Sequence, residues 1–181
     1  MTTFYGFSFV EEVEKIEQIL EKKAKPMTIV LGGAKKDKLD YLPELEKIAD
    51  FILIGGKLPI LRQGYGMTSL DDNKKIIWAE LREDGLDLND EDVTKFSEII
   101  NRSKTIIWAG AMGFYEKENC RMGTEKIAKA VAEADGYKII AGGDTSASIK
   151  DLGLKNKIDF ISSGGGVMLE LLTKGSLPAW N

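Results

Sequence analysis

Two stretches place phosphate-competent side chains directly behind paired glycines. Ile139-Ile140-Ala141 stops at Gly142-Gly143-Asp144-Thr145, and Thr28-Ile29-Val30-Leu31 stops at Gly32-Gly33-Ala34-Lys35-Lys36-Asp37-Lys38. Glycine lets backbone come close to a ligand. A helix starting after such a turn has free N–H groups that favour anions. Asp144 offers the oxygen ligand that a hard cation such as Mg²⁺ prefers. Lysine supplies a compact positive charge with three donors and no competing acceptor. Two readings stay open at this point. Asp144 or Thr145 caps a helix and the lysines form a solvated basic turn, or the stretches form a phosphate corner. Neither stretch is a Walker A loop or a dinucleotide fingerprint, because the spacing and terminal residues of those motifs are absent.

Composition excludes several other chemistries. The sequence of 181 residues contains no histidine, which removes imidazole acid–base catalysis, histidine metal ligation and histidine-based triads. Cys120 is the only cysteine, so no internal disulfide forms; packing is its expected role, in a reducing compartment. Apolar residues make up 43% and charged residues 30%, with a net charge of −4. That balance suits one soluble domain and argues against non-specific nucleic-acid binding. No stretch is long and apolar enough to span a membrane, and the start lacks a secretory pattern, so a cytoplasmic location is expected.

The elements that must position these residues follow from apolar runs and helical stripes. Residues 1–8 read as an aromatic arm. Ser8-Phe9-Val10-Glu11 has the form of a capping box, followed by the stripe Val10, Val13, Ile16, Leu20 and a stop at Pro26. Strands are expected at Thr28–Leu31, Phe51–Ile54, Lys75–Ala79, Thr105–Trp108, Lys138–Ala141 and Ile158–Ile161. Helices are expected around Leu42–Ile48, Leu58–Leu61, Val93–Ile100, Ile127–Ala134, Ser146–Ile149 and Val167–Leu172, with Asn89 or Asp90 as a cap. The run from Glu80 to Asn89 reads as a charged loop and Gly64–Asn73 as an irregular connection. Phe114 and Tyr115 either line a pocket or pack in a turn. The strand cores show little polar alternation, as in a parallel sheet covered on both faces. Repeated strand–turn–helix units predict an α/β, three-layer Rossmann-like domain with a mainly six-stranded parallel sheet over residues 1–181. Five glycine-bearing turns, near Gly33, Gly56, Gly110, Gly143 and Gly165, then gather on one edge.

The ordered set Gly32-Gly33-Ala34-Lys35, Ile54-Gly55-Gly56, Trp108-Ala109-Gly110-Ala111-Met112-Gly113, Gly142-Gly143-Asp144-Thr145, Ser163-Gly164-Gly165-Gly166 and Leu177-Pro178 resembles the C-terminal, nucleotide-binding domain of phosphoglycerate kinase. Enzymes of that family transfer a phosphoryl group between 1,3-bisphosphoglycerate and ADP with Mg²⁺, and close two domains on each other. The resemblance implies ADP or ATP with Mg²⁺ as ligand. By the same resemblance Lys35 contacts nucleotide phosphates, Lys38 acts catalytically on the transferring phosphoryl group, and Asp144 takes the metal. Gly142, Gly143 and Thr145 fall at the phosphates, Gly33 and Gly110 among the other cofactor-binding positions, Gly55 and Gly56 at the adenine side, and Glu116 at the ribose hydroxyls. Gly164, Gly165 and Gly166 form the glycine-rich helix start facing the transferred phosphate.

The chain departs from that pattern in four places. One residue is missing between Lys35 and Asp37-Lys38, Lys57 stands where the family has a third glycine, and Ala109 and Ala111 replace an asparagine and a proline. The connection from Gly64 to Trp78 is short. On this resemblance the family's N-terminal substrate domain is expected to be absent, and the expected partners are an adenine nucleotide and a separate phosphoglycerate-binding domain or protein, with no nucleic acid and no membrane. The chain alone is expected to be incomplete for kinase activity. Two other functions fit the same residues: a noncatalytic interaction or regulatory protein, and a phosphotransferase acting on another small metabolite.

Overall fold

The computed structural model describes residues 14, 16, 24–62, 74–162 and 164–174. The arm, the capping box, Val10, Val13, Leu20, the connection at 64–73, Ser163 and Leu177-Pro178 lie outside the described residues. Glu14 and Ile16 are helical, and Ile16 is buried, in keeping with the expected stripe.

In chain order the strands are β1 (Met27–Leu31), β2 (Phe51–Ile54), β3 (Ile76–Trp78), β4 (Thr105–Ala109), β5 (Tyr137–Ala141) and β6 (Phe160–Ser162). The helices are α1 (Leu42–Ile48), α2 (Leu58–Leu61), α3 (Asp90–Arg102), α4 (Met122–Glu133), α5 (Gly143–Asp151) and α6 (Gly165–Lys174). The strands form one sheet in the order β3-β2-β1-β4-β5-β6, and every pairing is parallel. Four strand starts and three strand ends shift by one or two residues from expectation, as ladder ends do.

Alternation along each strand sorts the core into two slabs. Ile29, Leu31, Ile52, Ile54, Ile107, Ala109 and Ile139 face α1 and α6, where Leu42, Leu45, Met168 and Leu169 meet them. Val30, Leu53, Ile106, Trp108 and Ile140 face α3, α4 and α5, meeting Phe96, Ile100, Ile127, Val131 and Ile149. Burial on both faces explains the apolar strand sequences. Chain progression reverses direction between β1 and β4, the only central pair joined by no direct crossover. In open parallel sheets the crevice outside the carboxyl ends at such a reversal is the usual ligand position.

Candidate functional site

The turns leaving β1, β2 and β4 are stitched to one another by backbone hydrogen bonds. Gly32 N–H donates to the Ala109 carbonyl (3.0 Å), Gly33 N–H to Ala111 (2.7 Å) and Gly56 N–H to Met112 (3.0 Å), while Lys57 N–H donates to Gly33 (2.9 Å). This contact demands glycine. A Cβ at Gly56 would run into the Gly33 backbone and the Ala111 carbonyl, and φ of +61° disfavours side chains there in any case. Gly55 is likewise buried, against Met112 and Leu88. The glycines after β1 and β2 thus bring turn against turn. Gly143 and Gly166 differ: both are exposed, and a side chain at either would meet no atom within 4 Å. These two present open backbone.

Lys38 sits over this seam. The segment Lys36–Tyr41 forms a 3-10 helix that turns the side chain back across the strand ends. Its Nζ donates to the Gly32 carbonyl (2.8 Å) and the Ala109 carbonyl (3.0 Å), at the ends of the two central strands. Gly110 makes the room, since a Cβ there would collide with the Lys38 amine and the Gly32 carbonyl. Burial lowers the Lys38 pKa to about 8; Asp37 opposes the shift, Lys35 adds to it, and Asp144 opposes it. Lys38 and Asp144 therefore share one electrostatic neighbourhood, with Lys35 exposed at the start of the 3-10 helix.

The Gly142-Gly143-Asp144-Thr145 stretch resolves into a glycine cap and a helix. Gly142, at φ +99°, is the N-cap of α5, and no side chain caps this helix. Asp144 and Thr145 therefore lie within the first turn, and neither is the cap. Asp144 is exposed. Thr145 is fully buried, and its Oγ1 accepts the Gly110 N–H at 2.8 Å. The first ladder bond of the helix runs from Ser146 N–H to the Gly142 carbonyl. The amides of Gly143, Asp144 and Thr145 consequently have no intrahelical acceptor. Gly165 packs against Ala141 and Gly142, so α6 begins beside α5, and Met168 N–H reaches back to the Gly164 carbonyl. Two helix N-termini thus open at the end of β5 and β6, next to Lys38 and Asp144.

Glu116 is exposed in the turn after β4. Its flanks are fixed: Phe114 N–H donates to the Leu86 carbonyl (2.8 Å) and Lys117 N–H to Phe114 (3.0 Å). Phe114 and Ile60 are 49% and 47% exposed, unusual for large apolar residues, and flank the Gly85-Leu86 loop. Ala109 carries no polar side chain to this edge, and its carbonyl is used by Lys38. A shallow hollow of about 390 Å³ opens elsewhere, along the outer strand, between Arg62, Trp78 and Lys95. It contains none of the residues assigned to the phosphate edge. Among the described residues no group of three or more acidic or cysteine side chains could cage a metal ion.

Two structural supports were not apparent in the sequence. Thr124 Oγ1 accepts the N–H groups of Met112 (3.0 Å) and Gly113 (3.2 Å), pinning the far limb of the β4 turn. Asp87, fully buried, accepts from Gly123 N–H (3.0 Å) at the start of α4 and from its neighbour Leu88 (2.9 Å). Burial raises its pKa, against the pull of both hydrogen bonds. The only signal was the apolar pair Leu86 and Leu88 flanking Asp87 in an otherwise charged run.

Known proteins match this arrangement along the chain. The family model for phosphoglycerate kinase matches residues 1–61 and 62–175. Phosphoglycerate kinase from Buchnera aphidicola subsp. Acyrthosiphon pisum (strain Tuc7) is 32% identical over 213 residues, covering 96% of this chain and 55% of that protein. The structure of phosphoglycerate kinase from Coxiella burnetii superposes with a TM-score of 0.78 at 26% identity, over 95% of this chain and 56% of that one. The fold is also that of the Pyrococcus horikoshii OT3 phosphoglycerate kinase, with a TM-score of 0.80 at 24% identity, over 97% of this chain and 56% of that one. The chain spans about half the length of these relatives. With its parallel sheet, its stitched glycine turns and a sequence match running through both, the chain belongs to the phosphoglycerate kinase family.

Proposed function

We propose that this chain is a phosphoglycerate-kinase-like domain that binds Mg-ADP or Mg-ATP at the carboxyl edge of its sheet and contributes to phosphoryl transfer with a separate phosphoglycerate-binding partner. One observation carries the reading. The reversal between β1 and β4 places the Lys38 amine, the Asp144 carboxylate and the open starts of α5 and α6 on a single edge. A polyphosphate suits that set. The free amides of α5 donate to one end, the lysines balance charge, and Asp144 adds one hard oxygen for the metal. Mg²⁺ bound to a nucleotide brings phosphate and water ligands with it, so a single carboxylate fits better than an all-protein cage would. Thr145 contributes through its main-chain amide, because its hydroxyl already serves Gly110.

Lys38 has the chemistry for charge that develops on a transferring phosphoryl group. Its pKa of about 8 leaves about nine-tenths of the amine protonated at pH 7. Phe114 and Ile60 give an apolar surface for a base, and Glu116 an acceptor for ribose hydroxyls. Calorimetric titration with Mg-ADP and Mg-ATP tests the proposal. Absence of binding at millimolar concentration sinks it, as does parental affinity in both Lys35→Ala and Asp144→Ala.

A second reading is binding without transfer. Ala109 offers no side-chain amide, and two protein carbonyls already hold Lys38. Nucleotide binding, with no phosphoryl transfer to any acceptor even beside a phosphoglycerate-binding partner, would favour a regulatory role.

A further inference from the structure

The turn bearing Glu116 is held more tightly than its exposure requires. Tyr115 and Glu116 are its two central residues, closed by the Lys117 N–H on the Phe114 carbonyl at 3.0 Å. Three contacts converge on Tyr115 alone. Arg121 Nε donates to its carbonyl at 2.5 Å. The Arg121 guanidinium also lies over its ring, 4.9 Å from the centroid. Its hydroxyl donates to Asp151 Oδ2 at 3.0 Å. Asp151 is the last residue of α5, whose first turn carries Asp144. A nine-residue helix is a stiff rod of about 13 Å. The hydroxyl bond therefore joins the Glu116 turn to one end of a rod whose other end is the phosphate corner.

We infer that Tyr115 and Asp151 are positioning residues that fix the span between the Glu116 carboxylate and the start of α5, and so make the site selective for ribonucleotides. The inference rests on the nucleotide reading above and adds what sets its sugar specificity. A ribose and its phosphates are joined covalently, so the protein groups that hold them must keep a matching spacing. Glu116 itself is on an exposed turn and cannot keep that spacing unaided. Tyr115 stays a donor to Asp151 across the working pH range, because burial and the Asp151 carboxylate push its pKa up to about 12. Arg121 holds the ring and the carbonyl in place when the hydroxyl is removed, so the bond can be deleted without collapsing the turn.

The test compares ADP, 2′,3′-dideoxy-ADP and pyrophosphate, each with Mg²⁺, by calorimetry. The parent chain is expected to bind ADP about tenfold more tightly than the dideoxy compound, the value of a hydrogen bond to a charged acceptor. Tyr115→Phe should reduce that ratio to about threefold or less while pyrophosphate affinity stays within about twofold. Asp151→Ala should match it, the double variant should add nothing further, and Asp151→Asn, which keeps an acceptor, should restore the parental ratio. A parental ratio in Tyr115→Phe overturns the inference. A parent that binds ADP and its dideoxy analogue alike overturns it through Glu116 and leaves the phosphate corner standing. A parent that binds no ADP removes the nucleotide reading and the inference together.

Discussion

Lys38 carries two opposed pH dependences. Its pKa is about 8 in the fold against 10.5 in the unfolded chain. Between these values the unfolded chain holds more protons, so stability rises with pH across the window. The gain is complete above 10.5 and lost as pH falls through about 8. On the nucleotide reading, phosphate binding runs the other way, because the amine loses its charge through the same lower value. Melting temperature should therefore rise from pH 8 to 10 relative to Lys38→Met, while Mg-ADP affinity weakens severalfold; paired melts and titrations check both slopes. Thr145 gives a prediction of a different kind. Thr145→Val keeps the shape but strips the Gly110 N–H of its acceptor in a fully buried position. Urea unfolding should show a loss of about 1–3 kcal/mol. Residue types suggested lysine and carboxylate chemistry at Lys35, Lys38 and Asp144, but not that Lys38 would be held by carbonyls. That outcome depends on β4, whose Ala109 is 71 residues away in sequence.

At the scale of elements, the strands were legible because burial on both faces leaves an uninterrupted apolar run, and no competing helical period fits four or five residues. The 3-10 helix at Lys36–Tyr41 was not, since its polar start has the composition of a loop and its fold is set by packing Leu39 into the core. Asn89 behaved as its sequence position implies, its side chain accepting Asp92 N–H at 2.7 Å at the start of α3. Asn89→Ala should cost about 1 kcal/mol in chemical denaturation and leave nucleotide affinity unchanged, α3 being remote from the phosphate edge. Of the two readings open for the start of α5, the acidic or hydroxyl cap is excluded, because Gly142 at φ +99° is the N-cap and no side chain caps the helix. Gly110 couples two elements. At φ +101°, and with the Lys38 amine where its Cβ would be, Gly110→Ala should cost more than about 1 kcal/mol. The same variant should flatten the Lys38 pH slopes, a combination that simple backbone strain elsewhere would not produce.

For the whole molecule, the six-stranded parallel sheet and the family were legible together, because ordered glycine motifs mark the succession of strands and turns, whereas the strand order came only from the structure. The site's completeness was not legible, since the chain spans about half the length of its relatives. Positioning two reactants supplies much of the rate of group transfer. The chain alone should therefore bind Mg-ADP yet produce no ATP from bisphosphoglycerate above the uncatalysed rate, measured in a coupled assay; turnover by the single chain would refute this. The two carbonyls that hold Lys38 come from the residue just after β1 and the end of β4, neighbours in the sheet but far apart in the chain. The amine is therefore a lock whose two jambs come from distant parts of the chain. Its chemistry also dates their meeting. While the β1–β4 seam is open, Lys38 has the basicity and reagent access of any surface lysine, and when the seam shuts it becomes a weaker, shielded base. Pulsed labelling of amines during refolding would read the closing of the sheet's centre from this single nitrogen.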